Sequence, residues 1–458
     1  MDKIIAAQST AAGKGGIGII RMTGKGCLDI AAKIFTSGGL KDVIKAKPNV
    51  MYFGRIDAGA AKDKGYLVYF KEPHSFTGED TVEFHCHGGQ AVLNAVLDGL
   101  FGLGAQPAER GEFTRRAFLN GKLALSDAEG VIDMINADST AALKAAYRMM
   151  SGGLSKEIYS MQESLLKLIA SYEAALDYPD EIGTETVAHT AALKKLADRA
   201  AALIAASNKS ATVKRGVNVV LIGKPNTGKS SLLNGFVKKD RAIVTDIPGT
   251  TRDTLEESFE YDGVRLNVVD TAGIREKETA GIIELKGIER SIDAAKGADI
   301  VLYVIDSPLY AEDKDACLPY GAYAEKSGEK AIAVFNKSDI KDVLTQCRGR
   351  IKKEFGGTAA FSVSAKTGDG IDKLLGYIAG LFKGGNVSDA EIMTNQRHVA
   401  ALRGAYDGIL SAVSADGIGA ECILVDLRNA WTKLGEITGQ TATEDILDKI
   451  FSEFCLGK

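Results

Sequence analysis

The stretch with the clearest chemical purpose runs from Gly223 to Ser230 and reads GKPNTGKS. It matches the pattern GxxxxGK followed by Ser or Thr, and it directly follows the strand-like run VNVVLIG. Glycines let the backbone curl so that its N–H groups converge on phosphate oxygens, and the helix expected next adds the positive end of its dipole. Lys229 would place a positive charge at the β- and γ-phosphates, and the Ser230 hydroxyl would ligate Mg²⁺. This stretch predicts a site for a nucleoside triphosphate.

Three later motifs, each at the end of a strand-like run, define which nucleotide this is: DTAG at 270–273, NKSD at 336–339 and SAK at 364–366. Asp270 would hold the magnesium through water, and the Gly273 N–H would meet the γ-phosphate. Asp339 offers a pair of acceptors to the N–H donors on the Watson–Crick edge of guanine, whereas adenine would leave that carboxylate unpaired. The order of these motifs predicts GTP and not ATP.

Two positions shape the expected hydrolysis. Position 274, just after DTAG, is Ile274, where Ras-like enzymes have the glutamine that orients the attacking water, so the water needs another partner. Asn226 lies within the phosphate loop, where its side-chain oxygen could help to bind a monovalent cation that neutralises charge as an arginine finger does. A hydrogen bond within the loop is the other interpretation of Asn226.

The elements that must position these groups change character along the chain. Short strand-like runs (GIGIIRM, MYFGRI, GYLVYF) fill the first 120 residues, and helical spacing prevails from Leu119 to about Ser210. Apolar strands then alternate with helical segments from about Val213 to the glycine-rich LFKGGNVSD, and helical spacing returns from 390 to 458. The pattern predicts a mixed N-terminal domain at 1–118, a helical domain in two halves at 119–212 and 385–458, and an inserted α/β domain with a mostly parallel sheet at 213–384.

Composition excludes several classes of protein. The chain has 458 residues, enough for about three domains, and its 56 Lys and Arg against 60 Asp and Glu give a net charge of −4. That balance excludes a histone-like polycation. No apolar run long enough to span a membrane and no secretory signal are expected, so the cytoplasm is the expected compartment. His85 and His87 would share a face of an extended strand, but further ligands at familiar spacing are missing, so a polar strand end is favoured over a metal site.

Motifs at both ends of the chain agree with those in the middle. GKGGIGIIR, HSFTGEDTVEFHCHGG, RGEFTRRAFLNGKL, AIVTDIPGTTRD and the terminal FCLGK together resemble the MnmE (TrmE) family of tRNA modification GTPases over essentially the whole length. The resemblance implies an N-terminal α/β folate-binding domain that forms a homodimer, and a discontinuous helical domain interrupted by a Ras-like P-loop G domain. It also implies a heterotetramer with the flavoprotein MnmG (GidA). The two proteins together would add an aminomethyl or carboxymethylaminomethyl group at C5 of the wobble uridine in tRNA. Methylene-tetrahydrofolate would supply the carbon, and glycine or ammonium the nitrogen.

The resemblance also assigns residues in the G domain. Potassium is expected at Asn226, Thr245, Ile247 and Thr250, where it would dock two G domains and accelerate hydrolysis, and magnesium is expected at Ser230 and Thr251. The catalytic glutamate of the family matches Glu284, with Glu276 and Glu278 as competitors because the resemblance implies two extra residues between DTAG and that point. The expected GTP contacts are Asn226, Thr227, Gly228, Lys229, Ser230, Ser231, Thr245, Asp246, Ile247, Pro248, Gly249, Thr250, Thr251, Asp270, Thr271, Ala272, Gly273, Asn336, Lys337, Asp339, Ser364, Ala365 and Lys366.

For the folate, the resemblance implies Arg21, Glu83, Lys122 and Lys458, with 5-formyl- or methylene-tetrahydrofolate as ligand. A carboxylate suits the N–H donors of a pterin, and cations suit an anionic glutamate tail. Cys455 corresponds to a functional thiol of the family, with an incidental exposed cysteine as the alternative. Two other functions stay open at this point: a GTPase switch in ribosome assembly, and a folate-binding regulatory scaffold. The helical segments around the G domain and the terminal FCLGK favour the tRNA-modifying enzyme.

Overall fold

The structure is a computed structural model that describes residues 3–178, 186–239, 256–270, 297–312, 330–355, 358–382, 395–415 and 420–458. The chain divides into two compact units, the first made of 1–135, 147–201 and 396–458, and the second of 136–146 and 202–395. The strands are β1 Ile5–Gln8, β2 Ile17–Thr23, β3 Phe35–Thr36, β4 Met51–Asp57, β5 Lys62–Phe70, β6 Thr81–His87, β7 Gln106–Pro107, β8 Val217–Ile222, β9 Glu256–Tyr261, β10 Val264–Asp270, β11 Ile300–Asp306, β12 Ala331–Asn336 and β13 Ala359–Ser362. The helices are α1 Cys27–Ile34, α2 Gln90–Gly102, α3 Glu112–Leu119, α4 Leu125–Ile135, α5 Thr140–Met150, α6 Gly153–Asp177, α7 Thr186–Arg215, α8 Lys229–Lys239, α9 Ser307–Glu312, α10 Val343–Gln346, α11 Arg348–Phe355, α12 Ile371–Phe382, α13 Gln396–Ser414, α14 Ala420–Thr438 and α15 Glu444–Ser452.

The N-terminal part of the first unit is a sheet in the order β3-β4-β5-β6-β2-β1-β7, antiparallel except where β7 joins β1. Side chains alternate across each strand, so Ile20, Met22, Val82 and Phe84 enter a buried core covered by α1 and α2. The opposite face of β2 and β6 carries polar residues, with Arg21 paired in register with Glu83. The strand-like runs of the first 120 residues are therefore confirmed as β2, β4 and β5.

The helical part of the first unit packs α13 against α14, and α14 against α6 and α4. Apolar residues at helical spacing face inward, among them Leu165, Leu402, Leu427 and Leu434, all fully buried. Helix α7 continues to Arg215, beyond the expected change near Val213, and ends where Gly216 adopts a φ of 83°. Helix α3 likewise spans the expected boundary at 118, so helical structure begins earlier than spacing alone indicated.

A buried charge cluster ties three of these helices together. Glu129 of α4 accepts a hydrogen bond from Arg397 Nη2 at 2.6 Å and lies 2.6 Å from His398 Nε2, both residues in the first turn of α13. Arg397 also donates to the carbonyls of Glu436 and Ile437 at the end of α14. His398 is fully buried and Glu129 nearly so. Burial acts to raise the pKa of the Glu129 carboxyl, but the charges and hydrogen bonds of His398 and Arg397 outweigh it and lower the pKa to about 2.

The second unit contains a sheet in the order β13-β12-β11-β8-β10-β9. All neighbours are parallel except the hairpin of β9 and β10. Buried apolar clusters cover both faces, one beside α8 and α12 and the other beside α9 and α11. Such two-sided burial explains why the strands read as continuous apolar runs. The predicted α/β domain with a mostly parallel sheet is confirmed, and no helix in the described ranges is long and apolar enough to cross a bilayer.

Candidate functional site

The phosphate loop connects the end of β8 to the start of α8 and has an unusual backbone. Gly223, Asn226 and Gly228 all have positive φ values, of 153°, 65° and 90°. A Cβ on Gly223 would lie 2.3 Å from the carbonyl oxygen of Val304, and one on Gly228 would lie 2.3 Å from Asn336 Nδ2. Glycine is required at both positions because of these close approaches. The resulting curl before a helix N-terminus is the arrangement that binds phosphate through backbone N–H groups.

The loop lysine and the first serine of α8 both follow β8, and Asp270 ends the adjacent parallel strand β10. Lys229 Nζ donates to the carbonyl oxygens of Gly223 and Lys224, both at 2.9 Å, and its side chain is nearly buried. Ser230 Oγ donates to Asp270 Oδ2 at 2.6 Å, and Asp270 is fully buried at the end of β10. The structure thus brings together the two oxygen groups expected near magnesium, a hydroxyl and a carboxylate, which are ligands that Mg²⁺ prefers. Ser231 follows in the first turn of α8, exposed.

The base side of the site is built from the ends of β12 and β13. Asn336 Nδ2 donates to the Thr227 carbonyl at 2.9 Å, and Asn336 Oδ1 accepts from the Ala365 N–H at 3.0 Å. The buried asparagine therefore joins the phosphate loop to the segment after β13. Ser364 Oγ donates to Asp339 Oδ1 at 2.7 Å, which fixes the carboxylate at the edge of the site. Lys366 follows, exposed, in the next turn.

Asp306 also belongs to this side of the site, although the sequence alone did not indicate it. Lys337 has a φ of 65°, and its Nζ lies 2.5 Å from Asp306 Oδ2 at the end of β11. Asp306 also accepts from the Leu309 N–H through its other oxygen, at 3.1 Å. The run DIVLYVID already ends in this aspartate, but only the adjacency of β11 and β12 shows that it meets Lys337.

The remaining expected residues of the GTP site lie outside the described residues. They are Thr245, Asp246, Ile247, Pro248, Gly249, Thr250, Thr251, Thr271, Ala272, Gly273, Glu276, Glu278 and Glu284.

A second polar cluster lies on the outer face of the N-terminal sheet. Arg21 Nε donates to Glu83 Oε1 at 2.8 Å, and the guanidinium lies over the rings of Phe76 and Phe113, 5.4 and 5.8 Å from their centroids. His85 Nε2 lies 3.3 Å from the other carboxylate oxygen, Glu83 Oε2. Burial acts to raise the pKa of Glu83, but the hydrogen bond from His85 and the charge of Arg21 outweigh it, so the pKa lies below its usual range. Glu83 is therefore ionised at neutral pH.

The C-terminal residues of this chain pack beside that cluster. Ser9 Oγ donates to the Gly457 carbonyl at 3.1 Å, and the backbone of Leu456 forms an isolated antiparallel β-bridge with that of Arg110. Gly457 has a φ of 87°, and a Cβ there would lie 2.0 Å from the carbonyl oxygen of Gln8. Burial, and next the positive charge of Arg21, lower the pKa of Lys458.

The other two expected residues of this region lie at its edge. Cys455 is exposed, and its carbonyl accepts from the Lys458 N–H at 3.4 Å. Lys122 Nζ donates to the Pro73 carbonyl at 2.9 Å, and this proline lies in the loop 71–80 that also carries Phe76. The structure thus brings Arg21, Glu83 and Lys458 together and connects Lys122 to them through one loop. The ring contacts of Phe76 and Phe113 were not expected from the sequence.

Comparison with known proteins decides the family. A model described as the MnmE helical domain matches residues 125–455, and one described as the GTP-binding protein TrmE N-terminus matches residues 4–122. The curated protein "tRNA modification GTPase MnmE" of Finegoldia magna is 38% identical over 467 residues, covering 100% of both chains. The chain belongs to the MnmE family of tRNA modification GTPases. Its MnmE relative in Moorella thermoacetica is also 38% identical, over 468 residues and 100% of both chains, and that of Clostridioides difficile is 37% identical over 473 residues.

Solved structures are similar over part of the chain only. Era from Aquifex aeolicus with bound GDP and aluminium fluoride is 25% identical, covers 43% of this chain and 67% of its own, and gives a TM-score of 0.30. The G domain of the Thermotoga maritima FeoB iron transporter is 27% identical. It covers 36% of this chain and 97% of its own, and gives a TM-score of 0.26. Scores this low carry no structural argument. Membership of the MnmE family rests on the full-length relatives, and with it the chain is a GTP-hydrolysing enzyme of tRNA modification, as the sequence predicted.

Proposed function

We propose that this MnmE-family chain couples GTP hydrolysis to attachment of an aminomethyl or carboxymethylaminomethyl group at C5 of the wobble uridine in tRNA. The observation that carries the proposal is that one chain holds both a guanine-nucleotide site and the cluster of Arg21, Glu83 and Lys458. A GTPase switch alone has no need of the second group. The chain would act as a homodimer with the flavoprotein MnmG, in a heterotetramer.

The outer-face cluster fits a reduced folate. Glu83 is ionised and offers acceptors to the N–H donors of a pterin, and Arg21, Lys122 and Lys458 suit the anionic glutamate tail. Bound methylene-tetrahydrofolate would supply the one-carbon unit, while glycine or ammonium would supply the nitrogen. Isothermal titration with 5-formyl-tetrahydrofolate tests the pocket. Wild type should bind and Arg21→Ala should bind at least tenfold more weakly; equal affinities would refute the assignment.

The nucleotide site fits two cations. Ser230 Oγ and Asp270 lie within 2.6 Å of each other and suit magnesium, held together with Thr251. Potassium would be held by Asn226 with Thr245, Ile247 and Thr250, and would join two G domains and speed hydrolysis. Replacing KCl by NaCl at equal ionic strength should slow GTP turnover at least tenfold, and equal rates would refute the potassium site.

Two residues are proposed to take part in chemistry. Glu284 would orient the attacking water in place of the glutamine that Ile274 replaces, so Glu284→Ala should lose hydrolysis and keep GTP binding. Retained turnover would redirect the role to Glu276 or Glu278. The exposed Cys455 beside Lys458 is the proposed functional thiol, and tRNA modification that survives Cys455→Ser would dismiss it.

The decisive experiment is a gene deletion followed by nucleoside mass spectrometry of cellular tRNA. Loss of the C5 groups, restored by wild type and not by Lys229→Ala, supports GTP-dependent modification, because Lys229 is the phosphate-loop cation. Unchanged nucleosides would overturn the proposal and favour a GTPase switch in ribosome assembly.

A further inference from the structure

Glu83 is held from both sides, by Arg21 at one carboxylate oxygen and by His85 at the other. Arg21 Nε lies 2.8 Å from Glu83 Oε1, and His85 Nε2 lies 3.3 Å from Glu83 Oε2. Side chains of alternate residues in a strand share a face, so His85 stands next to Glu83 on the outer face of β6. The side chains of Glu83 and His85 are 13% and 21% exposed, so the contact is largely shielded from water.

A carboxylate with one donor on each oxygen keeps one further acceptor direction on each oxygen. Both directions lie in the carboxylate plane, so the donors that fix this plane also fix where the two acceptors point. A 2-amino-4-oxopteridine presents its N3–H and 2-amino N–H side by side, and a fixed carboxylate can accept both at once. We propose that His85 is a positioning residue that, together with Arg21, fixes the plane of Glu83 for this paired recognition of a pteridine edge. The inference rests on the proposed folate site.

The neighbouring strands explain why His85 stays in place. Its backbone is paired with Ile19 of β2 on one side and Tyr66 of β5 on the other. The imidazole therefore has a strand on each side and the carboxylate along its own strand. The imidazole contacts Glu83 through Nε2. A side chain that replaces it must therefore carry a hydrogen-bond donor at the same distance from the backbone.

His87 provides a matched control on the same strand face. Its Nδ1 lies 2.6 Å from Asp63 Oδ1, a different carboxylate, and its side chain is 70% exposed. Replacing His87 changes the same residue type two positions away, at a side chain whose described partner is Asp63.

The test measures affinity of the full-length chain for 5-formyl-tetrahydrofolate and for its 2-desamino analogue by isothermal titration. His85→Leu should weaken 5-formyl-tetrahydrofolate about tenfold, the order expected for a hydrogen bond to a charged group, and leave the 2-desamino analogue unchanged. His85→Gln, whose amide nitrogen matches Nε2, should restore affinity to within about threefold. His85→Asn, whose nitrogen matches Nδ1, should behave as the leucine variant does. His87→Leu should bind both ligands as wild type does.

Several outcomes overturn the inference. Wild-type affinity in both His85→Leu and His85→Asn would show that Glu83 needs no second donor. An equal loss for both ligands would show a structural role only. Should the leucine variant not fold, judged by its GTP hydrolysis and circular dichroism, the Asn and Gln pair decides alone. Wild type that binds neither ligand would instead refute the folate site itself, and the inference with it.

Discussion

The substitution Glu129→Gln tests whether the buried charge cluster stabilises the helical part of the first unit. A carboxyl whose pKa falls from 4.5 to about 2 on folding contributes about 3 kcal/mol at neutral pH. The amide removes that charge and leaves the partly buried Arg397 without its counter-charge, and removing one partner of a buried ion pair costs about 3 to 5 kcal/mol. Both arguments predict that Glu129→Gln lowers the free energy of unfolding by about 3 kcal/mol.

Urea unfolding followed by tryptophan fluorescence is a direct assay. The chain has one tryptophan, Trp431, which lies in α14, and its carbonyl accepts a hydrogen bond from Gln162 of α6. The signal therefore reports the unit that contains the cluster. With a slope of about 3 kcal/mol per molar urea, the midpoint should fall by about 1 M. Glu163→Gln, which removes an exposed partner of Lys167 on α6, should leave the midpoint unchanged.

The difference in unfolding free energy between wild type and Glu129→Gln should depend on pH, and this dependence tests the mechanism. The unfolded Glu129 carboxyl takes up a proton near pH 4.5, whereas the folded one does so near pH 2, so unfolding binds a proton between these values. The stabilisation is thus fully present above pH 4.5 and is lost as the pH falls toward 2. The gap between wild type and Glu129→Gln should narrow from pH 4.5 to pH 3. An unchanged midpoint at pH 7, or a gap that stays constant down to pH 3, would refute the reasoning.

Three further predictions concern the two sites. Asp339→Asn should weaken GTP binding at least a hundredfold and favour xanthosine triphosphate, because the amide donates where guanine also donates; retained GTP preference in competition binding would contradict this. Asp306→Asn should weaken GTP and GDP equally, by about three- to tenfold, because Lys337 loses its partner, and fluorescent-nucleotide titration measures this. Gly457→Ala should weaken 5-formyl-tetrahydrofolate at least tenfold with GTP hydrolysis unchanged, because its Cβ would lie 2.0 Å from the Gln8 carbonyl oxygen; wild-type affinity by titration would count against a role for the tail.

Local features were predictable from the sequence because local physics dictates them. The phosphate loop needs glycine at Gly223 and Gly228 whatever the rest of the fold does, since a side chain at either would collide with backbone or with Asn336. The strands of the second unit were predictable because burial on both faces leaves continuous apolar runs such as VNVVLIG. The groups expected to recognise guanine, such as Asp339, come directly after the ends of those strands.

Contacts between distant segments were not predictable from spacing. Arg21 and Glu83 were expected at one site only through the family resemblance, and the strand register that joins them was unknown. The stacking of Arg21 on Phe76 and Phe113 depends on a loop and a helix that no periodicity relates. Glu129 and Arg397 are 268 residues apart, so nothing local to either predicts their bond. The end of α7 was placed too early because Arg215 continues a helical pattern that only Gly216 stops.

The split of the helical part between two distant stretches of chain also sets an order of events during synthesis. Ribosomes add about 5 to 20 residues per second, so Glu129 emerges roughly ten seconds to a minute before Arg397, its partner 268 residues later. Every strand of the second sheet that the structure describes, from β8 to β13 with its end at Ser362, is made within that interval. A nascent chain halted before residue 396 therefore carries the strands of the second sheet, whereas helices α4 and α6 of the first unit still lack α14, which packs against both. Such a chain would expose apolar helix surface of the kind that chaperones bind. Synthesis of the last 63 residues supplies the helices that cover this surface.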